Sequence, residues 1–180
     1  MKKLQKVLVV LIILISLVIG SMRLLCFVYP NNYVISVKKY AKIYDVPQEL
    51  VFSVIKAESN FDKNAVSKKG AVGLMQIMGA TGEWAAKKIK MDNFKKELLY
   101  EPDVNIEIGC FYLSYLLDLY KNDERCALAA YNAGPANVDK WLMDKNYSKN
   151  KKTLEKIPFS ETEEYVKKVT NNIKIYDFLY

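Results

Sequence analysis

The chain has 180 residues and a formal net charge of +7, from 27 Lys and Arg against 20 Asp and Glu, and 51% of it is hydrophobic. That length fits one domain with a sizeable core. There is no histidine, which excludes Ser-His-Asp triads, Cys-His pairs, HExxH zinc sites and imidazole acid–base chemistry and leaves carboxylates as the natural proton carriers.

The first 30 residues, MKKLQKVLVVLIILISLVIGSMRLLCFVYP, read as a membrane-directed segment. Lys2, Lys3 and Lys6 form a basic start, and Val7 to Met22 carries no charge. Those residues reach about 24 Å as a helix, against a hydrocarbon core of roughly 30 Å, and Leu24 to Val28 extend the span past a snorkelling Arg23. No clear A-x-A cleavage site follows, so an uncleaved anchor is favoured over a signal peptide. The basic start stays in the cytoplasm, and residues 31–180 face the extracytoplasmic side. Four basic residues and no acid lie in this segment, leaving 23 basic against 20 acidic residues beyond it, or +3. That balance, with no basic stripe, argues against a nucleic-acid partner. Cys26, Cys110 and Cys126 have no short spacing; buried free thiols are favoured over a bridge or a metal site.

The rest reads as helix after helix. Asn32 to Tyr44 is a short one. Pro47, as an N1 proline with Asp45 near the cap, starts another through Ser59. Asn60 to Gly82 is a glycine-punctuated loop, with room for a small hairpin. Thr81 to Ile89 is a short helix. Asp103 to Tyr120 is a long one, with Val104, Ile108, Phe111, Tyr112, Tyr115 and Leu119 at helical spacing. Glu124 to Tyr131 ends at Asn-Ala-Gly-Pro, where Gly134 suits a left-handed turn and Pro135 opens the next helix, through Met143. Glu161 to Leu179 is the last. The fold class is mainly α.

Glu58 stands out. At about 100° per residue, Val51 lies within roughly 20° of it around the helix, Val54 within about 40° and Ile55 within about 60°, while Ser53 and Lys56 point elsewhere. A carboxylate on that face loses hydration, which raises its pKa toward the range of a general acid. The same position also suits a buried glutamate paired with Lys or Arg, or one turned to solvent where the helix ends.

The residues that follow bear on that choice. The segment KAESNFDKNAVSKKGAVGLMQIM resembles the catalytic segment of the soluble lytic transglycosylase family, lysozyme-like enzymes that cleave bacterial peptidoglycan. PDVNIEIGCFYLSYLL, ALAAYNAGPANVDKW and IPFSETEEYVKKV resemble the family's next three segments, in order. Gly79 stands where the family usually has proline, Gly82 where alanine is usual, and Glu163 where arginine is usual. The resemblance implies a lysozyme-like helical domain of the goose-lysozyme type over residues 31–180. It implies no cofactor and no metal. Glu58 would be the sole acid–base, protonating the β-1,4 oxygen between N-acetylmuramic acid and N-acetylglucosamine and then deprotonating the C6 hydroxyl, to give a 1,6-anhydro end. Met75, Gln76, Tyr131, Asn132 and Glu161 would bind the glycan. Each has a structural alternative: core for Met75, a backbone hydrogen bond for Gln76, corner-building for Tyr131 and Asn132, a helix-start carboxylate for Glu161. Asp62 reads as a turn residue. The implied partners are peptidoglycan strands and the cytoplasmic membrane. A hydrolytic muramidase of the same fold and an inactive glycan-binding scaffold are the alternatives.

Overall fold

The computed structural model describes residues 2–180. Eight α-helices run in order: α1 (Lys2–Val28), α2 (Val34–Ile43), α3 (Gln48–Glu58), α4 (Gly79–Lys88), α5 (Pro102–Leu119), α6 (Glu124–Ala133), α7 (Pro135–Met143) and α8 (Ser160–Leu179). A 3-10 turn at Lys96–Tyr100 precedes α5. Among the described residues there is no strand; where the sequence left room for a small hairpin there are two isolated antiparallel bridges, Val66 with Val72 and Val72 with Ile77.

The helix α3 is the centre of the molecule. It packs most extensively on α8, while α6 packs on α8 and α7, and α5 on α2 and α6. Leu50, Val51, Phe52, Val54 and Ile55 are all 2% exposed or less. Moving five such side chains out of water is worth on the order of 10 kcal/mol before ordering costs. Ser53, read as pointing away from the packing face, is also fully buried. Its hydroxyl donates to Glu49 O at 2.6 Å, and its carbonyl accepts from Asn172 Nδ2 of α8 at 3.3 Å. Helical periodicity sees one packing face, but α3 is buried all round from Leu50 to Ile55 because α8 covers the second.

Several boundaries differ from the sequence expectation. Pro47 is the N-cap of α3, not its first residue, and Asp45 adopts φ 53° in the turn before it. The helix α4 begins at Gly79, two residues early. Gly134 has the expected positive φ, 87°, but with ψ 144°. The proline that follows disfavours helical ψ at this position, and a glycine reaches the extended mirror region without a Cβ clash.

The family departures have local explanations. A Cβ at Gly82 would come 3.0 Å from Phe94 Cζ, so the missing methyl leaves room for that ring. Glu163 pairs with Arg125 at 2.7 Å and Lys167 at 3.3 Å, joining α8 to α6. All three cysteines are free, with Cys110 and Cys126 buried in the core.

The helix α1 is long and apolar enough to cross a membrane, with a mean hydropathy of 2.7 and none of its apolar window buried. It is not loosely appended. Lys56 Nζ donates to Val28 O at 2.6 Å, Tyr176 Oη to Pro30 O at 3.0 Å and Tyr180 Oη to Tyr29 O at 2.9 Å.

Candidate active site

The site grows from the end of α3 and from the loop between Ser59 and Met78. That loop turns back under the domain and is held from below by one buried amide. Asn105 of α5, 1% exposed, donates from Nδ2 to Val72 O at 2.9 Å and Leu99 O at 2.8 Å, and accepts from Met75 N–H at 2.8 Å. The approach requires a glycine: a Cβ at Gly73, φ 79°, would sit 2.3 Å from Asn105 Nδ2 and 2.4 Å from Leu99 O. Gly109, one turn along α5, makes room for Met75, whose Sδ would lie 2.2 Å from an added Cβ.

Met75 is therefore fully buried, and its side chain lies beneath the cleft. Its carbonyl accepts from Tyr131 Oη at 2.8 Å, tying the loop to the end of α6. Gln76 lines the cleft with φ 49°, a conformation costing roughly 1–2 kcal/mol for a residue with a side chain. Its Nε2 donates to Ala65 O at 3.0 Å and Gly73 O at 2.9 Å. Both amide hydrogens are thus engaged within the loop, and among the described residues no side-chain or backbone donor bonds the Gln76 side-chain oxygen. Asn132 also lines the cleft, its Oδ1 accepting from Thr162 Oγ1 of α8 at 2.7 Å. The Asn-Ala-Gly-Pro corner is by that bond fastened to the start of α8, where Glu161 reaches the same space.

These groups surround a cleft of about 670 Å³ bordered by Glu58, Gln76, Tyr112, Tyr131, Asn132 and Glu161. Glu58 closes one wall. Burial removes its hydration and pushes its pKa up to about 7; the Tyr165 hydroxyl and the Lys168 ammonium pull the other way, and the nearby Glu161 carboxylate adds to the rise. Desolvation outweighs the favourable contacts, as for a carboxyl group seated against an apolar wall. Lys168 does not form an ion pair with Glu58: its Nζ donates to Ala57 O at 2.8 Å. Among the described residues the ion pairs do not include Glu58.

Five of the six expected site residues border one cleft, and Met75 supports it from below. Sequence reasoning missed Tyr165, whose buried hydroxyl makes no hydrogen bond of normal geometry and faces the Glu58 carboxyl. It also missed Tyr112, whose ring centre lies 5.4 Å from that of Tyr131, and Asn105, which touches nothing in the cleft. Tyr165 lies in the ETEEYV segment and one helical turn beyond Glu161, a spacing that would have marked it. Asp62 acts as a turn residue, accepting from Asn64 N–H at 2.9 Å. Among the described residues no cluster of three or more Cys, Asp or Glu side chains is placed to hold a metal ion.

The cleft thus holds one carboxyl group raised to about 7, with tyrosines and amides around it. The model of the Transglycosylase SLT domain matches residues 35–155, and the chain belongs to that family. It is 34% identical over 154 residues to the soluble lytic murein transglycosylase of Escherichia coli strain K12, covering 84% of this chain and 23% of that one. It is 27% identical over 167 residues to the membrane-bound lytic murein transglycosylase C of Edwardsiella ictaluri, covering 81% and 46%. The crystal structure of the 70 kDa soluble lytic transglycosylase of Escherichia coli superimposes with a TM-score of 0.77 at 32% identity, over 86% of this chain and 25% of that one. An inactive Glu-to-Gln mutant of the Pseudomonas aeruginosa enzyme gives a TM-score of 0.76 at 31% identity, over 86% and 25%. The chain thus spans about a quarter of the soluble relatives and under half of the membrane-bound one. The mainly helical, lysozyme-like architecture read from the sequence is the architecture found.

Proposed function

We propose that the chain is a membrane-anchored lytic transglycosylase, with residues 1–30 as anchor and 31–180 as catalytic domain, cutting the β-1,4 bond between N-acetylmuramic acid and N-acetylglucosamine. The observation that carries this reading is Glu58: one desolvated carboxyl group, raised to about 7, in the cleft wall of a chain of this family. At neutral pH about half of it is protonated, so it can act as acid in one step and base in the next. It protonates the glycosidic oxygen; the leaving N-acetylglucosamine departs; the substrate's N-acetyl group steadies the positive charge; Glu58 then takes the C6 hydroxyl proton as that oxygen closes on C1. No water is consumed, and the C6 oxygen's fixed place beside C1 supplies an effective concentration that bulk water lacks. The Gln76 carbonyl oxygen, the Asn132 amide and Tyr131 hold the sugars, Met75 sets the loop that carries Gln76, and Glu161 binds a hydroxyl at the rim. The Pseudomonas relative made inactive by one Glu-to-Gln change supports a single essential glutamate. The α1 helix and the membrane-bound relative support attachment to the cytoplasmic membrane with the cleft facing the wall.

Glu58→Gln should abolish cleavage of purified peptidoglycan while the domain stays folded. Digestion by the native protein in ¹⁸O-labelled water should leave the new muramoyl ends unlabelled and in the 1,6-anhydro form by mass spectrometry. Label in most ends would make the protein a muramidase, with Glu161 as the second carboxylate within the cleft.

A further inference from the structure

The three bonds onto residues 28–30 involve none of the residues that border the cleft. In the geometry of a membrane anchor, Val7 to Val28 spans about 33 Å as a helix, which crosses a hydrocarbon core of roughly 30 Å and brings Val28 to the outer headgroups. The main-chain carbonyls that follow are then taken up by the catalytic domain at once. Val28 O is bound by Lys56 of α3, Tyr29 O by Tyr180 and Pro30 O by Tyr176 of α8. The Tyr29 ring packs edge-on against Tyr176 with centres 5.7 Å apart, and the Lys56 ammonium stands 5.3 Å over it. No free linker separates anchor from domain.

Lys56 is two residues before Glu58 on the same helix. From Val28 O to Lys56 Nζ is 2.6 Å; an extended lysine adds about 6 Å and two helical residues about 5.5 Å, so Glu58 Cα lies within roughly 14 Å of Val28 O. We propose that the α3–α8 clasp makes this protein a fixed-height tool. Its substrate is then glycan within about 20 Å of the bilayer surface, meaning strands still tethered to the membrane at one end, and not wall material farther out. The proposal rests on the transglycosylase reading and on α1 as a retained anchor, and it names the substrate class of the same cleft. The bonds from Lys56, Tyr176 and Tyr180 are made only in a chain that keeps residues 28–30.

The test uses the full chain in proteoliposomes with peptidoglycan glycan strands coupled by one end to lipids in the same bilayer. Mass spectrometry reads the stubs left on the vesicles. The native protein should leave short stubs. A 20-residue Gly/Ser insertion between Phe27 and Val28 keeps the clasp intact on the domain side and adds roughly 25 Å of slack, so cuts near the tether should lose on the order of tenfold in preference over distal cuts. Lys56→Met with Tyr176→Phe and Tyr180→Phe should broaden the stubs in the same direction by less. Identical stub distributions for native and inserted proteins, with cleavage intact in both, would overturn the fixed-height proposal alone. Absence of cleavage by every form would overturn the transglycosylase reading and this proposal with it.

Discussion

The helix α1 is the longest regular element described, 27 residues, and buries none of its apolar window. The stretch from Ser59 to Met78 has neither helix nor strand and buries Phe61, Ala71, Val72, Leu74, Met75 and Ile77. Regular hydrogen bonding is therefore not what holds the chain in place at the site. A helix satisfies its own backbone and needs no neighbour for that purpose, which is why a bare apolar helix can cross a bilayer. The loop closes its backbone partly on itself, through tight turns and the Gln76 side chain, and partly on side chains from outside it, Asn105 of α5 and Tyr131 of α6, and so it is fixed to the cleft it builds. Damage should follow that difference. Changes at the loop's anchor points should cost stability and activity together, and changes along α1 should cost the domain nothing.

The largest expected effect is at Gly73. An alanine there meets Asn105 Nδ2 and Leu99 O well inside contact distance at a φ of 79°. Strain, overpacking and loss of the Asn105 bonds should together cost about 3–4 kcal/mol and most of the cleavage activity. Gly70→Ala is the matched control. Its φ is 83°, but nothing lies within 4 Å of the added carbon, so only the left-handed conformation is charged, about 1 kcal/mol. Chemical denaturation followed by fluorescence of Trp84 and Trp141 compares the two. Equal losses would mean that backbone conformation, and not the clamp on the loop, governs this region.

How much of this was readable in the sequence follows the same line. Elements that depend on local rules were found: α5 from its apolar spacing, the Asn-Ala-Gly-Pro corner from its glycine and proline, α1 from composition. Glu58 was singled out by the apolar face drawn around it, and only the resemblance of the segments that follow pointed to a catalytic role. What escaped depends on partners far along the chain. Asn105 meets Val72 and Met75 across about thirty residues, and nothing in PDVNIE distinguishes a clamp from a solvated amide. Ser53 was misplaced because the second face of α3 is covered by α8, which periodicity within α3 does not record. The 3-10 turn at Lys96–Tyr100 was missed because its five residues are too few to show a period.

A medium effect is expected where the site itself strains the fold. Glu58 has a folded-state pKa of about 7 against an ordinary 4.5. The folded protein therefore binds more protons than the unfolded chain between those values, and stability falls as pH rises from about 4.5 to 7, then levels off. The shift corresponds to at most about 3 kcal/mol, less whatever solvent in the open cleft screens. Glu58→Gln removes the ionisation, so it should be more stable than the native protein at pH 8 and nearly equal to it at pH 4. Thermal unfolding at both pH values measures this. An equal difference at the two pH values would mean that Glu58 is not desolvated and would weaken its assignment as the acid.

The smallest effect belongs to α1 and tests the comparison from its other side. Val10 and Leu14 are 55% and 53% exposed, with neighbours only along their own helix. Truncating a core side chain costs several kcal/mol because transfer energy is lost and a cavity remains. Neither term exists here, and alanine is the better helix former than valine. Val10→Ala with Leu14→Ala should thus shift the domain's unfolding in detergent by less than about 0.5 kcal/mol. Val54→Ala, in the fully buried centre of α3, should cost about 1–3 kcal/mol in the same assay. Both tryptophans lie beyond residue 80, so the signal reports the domain and not the anchor. The clasp at residues 28–30 is untouched by the α1 changes, which separates the body of the helix from its last carbonyls. A loss above about 1 kcal/mol from the α1 pair would show that this helix packs on the domain, and its exposure would then not mark a lipid-facing surface.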